Sequence, residues 1–233
     1  MGVGQCYNPS NLGGMMIVVS DLMGTLTTGS PVLGLVDWIR HNQSKWQANL
    51  YMAGMLPSYF LAKNNLIEWQ KWGQGLMINS LALIKDASPE KFNEVAEWVV
   101  DKDLWVKRRP DIIERLKKHI AEGAQVYVAS SVYQLGVEAF ARRIGAQAIG
   151  TPVEFVDHHV RIQGELVADE KKIEQVLSRL GVERVDFAYG DTALDIPLLE
   201  HADHPIAVYP EEKLRVIAQE RGWEIIGETA SYP

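Results

Sequence analysis

An apolar run that ends in an acid, a glycine and hydroxyls constrains this chain most: Ile17-Val18-Val19-Ser20-Asp21-Leu22-Met23-Gly24-Thr25-Leu26-Thr27. Short β-branched runs suit a strand covered on both faces, as in a parallel sheet, where ligands sit beyond the strands' carboxyl ends. Such a strand delivers Asp21 to that end. Taken alone, Asp21 reads better as a turn or helix-cap acid, so its weight depends on what the rest of the chain supplies.

From residue 110 onward a helix, a glycine and a short apolar strand recur. Helices are expected over 111–122, 135–144 and 171–180, closed by Gly123, Gly145 and Gly181, with strands over 125–129, 185–189, 206–208 and 223–226. A hairpin, 153–155 with 160–162, is inserted in that order. Strict alternation implies parallel strands joined by right-handed crossovers. Between residues 33 and 100 every periodic segment is helical, with helices expected over 33–49, 51–62, 66–83 and 89–100. Pro57 is expected to kink or divide the second. The last is clearest: Ser88 caps it, Pro89 takes the first helical position, and Phe92, Val95, Ala96, Val99 and Val100 share a face. The expected fold class is therefore α/β, a Rossmann-like three-layer parallel-sheet core with an inserted all-helical domain. Residues 15–28 and 107–233 form the core and 29–106 the helical insert. Residues 1–14, rich in Gly and Asn, read as a flexible tail.

Bulk properties narrow the function classes. A net charge of −7, with Lys107-Arg108-Arg109 the longest basic run, argues against a nucleic-acid surface. Cys6 is the only cysteine, which excludes an intrachain disulfide and fits a reducing cytoplasm. The most apolar long window, 50–66, contains Pro57 and Lys63 and falls short of the roughly 18 apolar residues that a membrane span needs. Six of the seven tryptophans (Trp38, Trp46, Trp69, Trp72, Trp98 and Trp105) lie in or beside the helical insert. Core packing is the reading favoured for them; an apolar lid pocket and a dimer face are the alternatives.

The strand followed by Asp21-x-x-Gly24-Thr25-Leu26-Thr27 resembles the first motif of the haloacid dehalogenase superfamily, mostly Mg²⁺-dependent phosphatases whose first Asp is a nucleophile. Three later segments agree. Ala129-Ser130-Ser131 after an apolar strand resembles the second motif, Glu170-Lys171-Lys172-Ile173 the third, and Tyr189-Gly190-Asp191-Thr192-Ala193-Leu194-Asp195 the fourth, in family order. The stretches 149–154 and 202–210, with the helical insert as a cap, resemble the phosphoserine-phosphatase-like branch. Read without the resemblance, Ser130 is a helix cap and Lys172 a surface lysine. His201, Asp203 and His204 read as turn residues, with no compact spacing for zinc.

The resemblance implies that Asp21 attacks phosphorus and Lys172 neutralises charge, with Lys171 the alternative lysine. It implies that Thr25, Ser130 and Ser131 bind the substrate phosphate. Mg²⁺ would be held by Asp21, the backbone carbonyl of Met23, Asp191 and Asp195. One position departs from the pattern: Met23 stands where the family usually has a second Asp that protonates the leaving group and then activates water. Two functions follow. One is a Mg²⁺-dependent phosphatase acting through an aspartyl phosphate on a small phosphomonoester or acyl phosphate, impaired by Met23. The other is a catalytically weak or inactive phosphate-binding or regulatory protein on the same fold. Dehalogenation also dispenses with the second Asp, but the Gly190-Asp191 and Asp195 array argues against it. The expected partner is a small phosphorylated molecule. Oligomeric state is open, a dimer through the cap being one possibility.

Overall fold

Val18 and Val19 expose nothing to solvent, so the strand that carries them, β1 (Ile17–Ser20), needs cover on both of its faces. It finds that cover in the middle of a six-stranded sheet, ordered β3-β2-β1-β6-β7-β8, in which every pairing is parallel. The other strands are β2 (Gln125–Tyr133), β3 (Gln147–Thr151), β6 (Val185–Gly190), β7 (Ala202–Val208) and β8 (Glu224–Ile226). The computed structural model describes residues 15–64 and 66–228, so the expected tail at 1–14 lies outside the described residues.

Alternate residues of the strands face two helical layers, which makes the expected three-layer α/β core. Val18, Val126 and Val128 pack with α5 (Pro110–Ala121) and α6 (Gln134–Ala141) through Ile112, Leu116 and Phe140. Val19, Tyr127 and Ala129 pack on the opposite side with α7 (Asp169–Leu180), α8 (Ile196–Glu200) and α9 (Glu212–Arg221). Helices α7 and α9 stop at Gly181 and Gly222, whose φ of 67° and 68° costs a glycine nothing and a side chain much. A hairpin of β4 (Val153–Val156) and β5 (His159–Ile162) turns at Asp157 and His158.

Among the described residues, four α-helices separate β1 from α5: α1 (Pro31–Asn42), α2 (Lys45–Lys63), α3 (Trp69–Ser80) and α4 (Pro89–Val99). Ser88 caps α4 as expected, its hydroxyl accepting from the Lys91 N–H at 3.2 Å. The break between α1 and α2 falls at Gln43 and Ser44, earlier than the expected break at residue 50, because the Ser44 hydroxyl caps Gln47 N–H. Pro57 neither divides nor ends α2. It lies on the exposed face, where the carbonyl of Ala53 that loses its intrahelical donor meets water. The structure adds a strand that periodicity did not reveal, β3, and extends β2 four residues past its expected end.

The helical stretch is not an independent unit of packing. Val36, Trp38, Phe92 and Val99 belong to the same continuous apolar cluster as Val18, Leu22 and Phe140. Burying each such side chain contributes about 1.5–3 kcal/mol, against about 0–1 kcal/mol for an exposed ion pair such as Lys71 with Glu68. Apolar contact therefore holds α1 and α4 to the sheet. Of the tryptophans, Trp38 is core, Trp72, Trp98 and Trp105 are half-buried, and Trp46 is exposed. The side chain of Trp69 lies outside the description. No helix among the described residues is long and apolar enough to cross a membrane.

Candidate active site

Strand order creates the site. β1 sits between β2 and β6, where the sheet's winding reverses, and the carboxyl ends of parallel strands at such a point form a crevice. Ser20 pairs with Val128 on one side and Tyr189 on the other, so Asp21 and Asp191 leave neighbouring strands at one edge of the sheet, beside Ser130 in β2. The Asp21 N–H continues the ladder by donating to the Tyr189 carbonyl at 2.9 Å.

Lys172, on the first turn of α7, enters this crevice and is only 5% exposed. Its Nζ donates to Asp21 Oδ1 at 2.6 Å and to Asp195 Oδ1 at 2.7 Å. Lys171 points away, paired with Glu174 at 3.0 Å and Glu165 at 3.6 Å. Burial is the largest influence on Asp21 and Asp195 adds to it; against the opposing pull of Lys172 they push the Asp21 carboxyl up to about 6. For Lys172, burial favours the neutral amine, but the two carboxylates override it and hold the ammonium charged.

Asp195 closes a short helical turn, and its Oδ2 accepts from the N–H groups of Asp191 and Thr192, both at 3.2 Å. Gly190 lets this happen: a Cβ there would lie 2.5 Å from the Asp195 Cβ. Gly190→Ala is expected to lower unfolding free energy by about 1–3 kcal/mol through overpacking, and to loosen Asp195, read by urea unfolding and by calorimetric metal titration. The Thr25 hydroxyl donates to Asp191 Oδ1 at 2.9 Å. Thr25 thus braces a carboxylate of the cluster.

Ser130 is buried within β2, three residues before its end, and its hydroxyl accepts from the Val132 N–H at 3.4 Å. Half-buried Ser131 lends its carbonyl to the Thr151 hydroxyl at 2.7 Å. Met23 is half-buried, its side chain packed against the core cluster. His201, Asp203 and His204 sit at the amino end of β7, away from the crevice, and the last two are strand residues, not turn residues.

Several supports were not anticipated. Glu211 donates its N–H to the Asp191 carbonyl at 2.9 Å and accepts from Ala193 N–H at 2.7 Å, holding the loop from β6. The Arg109 Nε donates to the Gly24 carbonyl at 2.8 Å, tying α5 to the loop after β1. Asp169, the first residue of α7, also lies in the field of Lys172, which opposes the upward push of burial on its carboxyl. Spacing carries no signal for Glu211 or Arg109. The Thr192-x-x-Asp195 pattern does read as a capping pair, and could have been used.

Asp21, Asp191 and Asp195 are all buried, with ligand oxygens within 4.8 Å of one another. Lys172 brings one positive charge to three carboxylates. Dry, convergent and rich in oxygen, the cluster fits a hard divalent cation and lacks the nitrogen and sulfur donors that suit zinc.

A family model for haloacid dehalogenase-like hydrolase matches residues 18–200. A Mycobacterium tuberculosis protein named phosphoserine phosphatase SerB1 is 31% identical over 154 residues, 63% of this chain and 50% of that protein. The chain spans about half the length of the curated relatives it matches. Among solved structures, a Bordetella pertussis Tohama I protein of unknown function superposes with a TM-score of 0.70 at 21% identity, over 92% of this chain and 99% of that one. A probable phosphoserine phosphatase from Vibrio cholerae gives a TM-score of 0.58 at 18% identity, over 91% of this chain and 60% of that one. At these identities the two structures speak to the fold.

Proposed function

Because the chain belongs to the haloacid dehalogenase-like hydrolase family, we propose that it is a Mg²⁺-dependent phosphatase of small phosphomonoesters or acyl phosphates. The observation that carries this reading is the buried cluster of Lys172 with Asp21 and Asp195, beside Asp191, at the carboxyl ends of β1 and β6. Asp21 is the nucleophile: its carboxylate attacks phosphorus, the ester P–O bond breaks, and the phosphoryl group rests on Asp21 until water attacks it and releases phosphate. Lys172 fixes the orientation of the carboxylate by one hydrogen bond and offsets charge that gathers on the phosphoryl oxygens. Ser130 and Ser131 bind the phosphoryl oxygens.

Asp21, Asp191, Asp195 and the Met23 carbonyl would hold the cation, which when bound would supply Lewis-acid polarisation of the phosphoryl oxygen. The helices between residues 29 and 106 serve as the cap that keeps bulk water from the crevice. Met23 cannot give or take a proton, so the chain itself does not assist the leaving oxygen there. Aryl and acyl phosphates, whose leaving groups need no proton, are therefore the preferred substrates. A phosphate-binding protein without turnover is less well supported, since nucleophile, lysine and acids are all retained. A single cysteine supports a reducing, cytoplasmic setting for this activity.

Phosphate release from a panel of esters, assayed with and without Mg²⁺, tests the proposal. The panel includes p-nitrophenyl phosphate, acetyl phosphate and O-phosphoserine, the last suggested by the relative's name. Expected is hydrolysis that needs the metal, is fastest on the aryl and acyl phosphates, and weakens in its metal requirement's midpoint for Asp191→Asn. Hydrolysis unaffected by chelation, or none on any member, would overturn it.

A further inference from the structure

Helix α2 covers α1 and α3 with one face and leaves the other to solvent, so that only Ala48 and Ala62 among its buried positions are fully enclosed. The solvent face is apolar. Trp46 is 76% exposed, Leu50 59%, Leu56 55%, Phe60 58% and Leu61 42%, and Leu66 just beyond the helix is 72% exposed. Trp46, Leu50, Phe60 and Leu61 follow helical spacing, and Ala53, Gly54 and Pro57 fill the stripe between them. Asn49, also exposed, lies at its edge on the side of Phe60.

Charge borders this stripe on one edge. Lys45 and Lys63 lie about five helical turns apart, so both project from the same line along α2, one at each end. The helix contains no acid. Residues 45–80 hold Lys45, Lys63 and Lys71 against Glu68 alone, in a chain whose net charge is −7. Soluble monomers rarely expose contiguous apolar surface of this kind without a partner.

We infer that this face of α2 docks on the surface of an anionic phospholipid bilayer, lying in the plane of the headgroups. Trp46, Leu50, Phe60 and Leu61 enter the acyl boundary, while Lys45 and Lys63 extend along it to the lipid phosphates. The acidic remainder of the protein is repelled by the same lipids, so the lysine-bearing side alone approaches. A second copy of the chain suits the face less well. Antiparallel self-pairing of α2 sets Lys45 of each copy near Lys63 of the other, with no acid on either face to receive them. Docking does not depend on the phosphatase reading.

Sedimentation of the full chain with sucrose-loaded vesicles tests this, using phosphatidylcholine alone and phosphatidylcholine mixed with phosphatidylserine. The chain is expected to pellet with the mixed vesicles and to remain in solution with the neutral ones. Trp46→Ser with Phe60→Ser should lower binding about tenfold or more, as should Lys45→Glu with Lys63→Glu. Thermal unfolding midpoints should stay near that of the parent, since all four side chains face solvent. No pelleting, or equal binding to both vesicle types, overturns the inference. So does a dimer in sedimentation velocity that the Trp46 and Phe60 changes dissociate, which would assign the face to a second copy.

Discussion

Asp21→Asn is expected to cut hydrolysis of every phosphate ester by at least about a thousandfold, because an amide cannot attack phosphorus as a carboxylate does. No neighbour is free to replace it. Asp195 accepts from Lys172 through one oxygen and from two backbone N–H groups through the other, and Asp191 accepts from Thr25. The loss should not be one of folding. Burial holds the metal-free Asp21 carboxyl up at about 6, above the usual carboxylate range, so near neutral pH its ionised form costs the folded state energy that an amide does not. The Asn variant should accordingly unfold at a temperature no lower than the parent without metal, while its hydrolysis of p-nitrophenyl phosphate vanishes. Turnover close to the parent's would show that the reaction does not pass through Asp21.

Met23→Asp should raise turnover on alkyl phosphates such as O-phosphoserine by about 10²–10⁴, and much less on aryl or acyl phosphates. Position 23 is two residues past the nucleophile, in the same loop. A carboxyl group there can protonate the departing oxygen and afterwards take a proton from the water that attacks the aspartyl phosphate. Alkoxide leaving groups depend on that first transfer and phenolates hardly do, so the gain should shrink as leaving-group pKa falls. Rates across a leaving-group series will show it as a flatter slope for the variant. Parallel slopes would mean that another acid already serves the leaving group. The new carboxylate also joins three buried acids, so the metal-free variant should unfold at a lower temperature than the parent, with Mg²⁺ recovering more of the difference.

Much of the fold was legible because its signals are local. Ser88-Pro89 and the apolar face that follows specify the start and orientation of α4 whatever surrounds them. Gly181 and Gly222 mark helix ends for a reason internal to the backbone. Where signals were weak or competing, the sequence misled: β3 reads Gln-Ala-Ile-Gly-Thr, too short and mixed to declare a strand, and becomes one by pairing with β2. Pro57 breaks helices when its carbonyl partner is buried, and here that partner is in water.

The candidate site divides in the same way. Asp21, Asp191 and Asp195 could be named from the chain because the segments that carry them resemble family motifs in family order; as isolated acids they read as turn or cap residues. By itself the sequence determined which residue types stand at which strand ends, including the Met at position 23. It left Lys171 and Lys172 nearly equal, since adjacent helical positions differ only by about 100° of rotation. The tertiary structure decided between them, turning Lys172 into the crevice and Lys171 to solvent. It also set the Thr25 hydroxyl on Asp191 and recruited Glu211 and Arg109 as supports. The reason is sequence separation: Asp21 and Lys172 are 151 positions apart and Thr25 and Asp191 are 166 apart, and no local propensity acts over such distances. Only the order of strands, with β1 held between β2 and β6, brings those atoms within hydrogen-bonding reach.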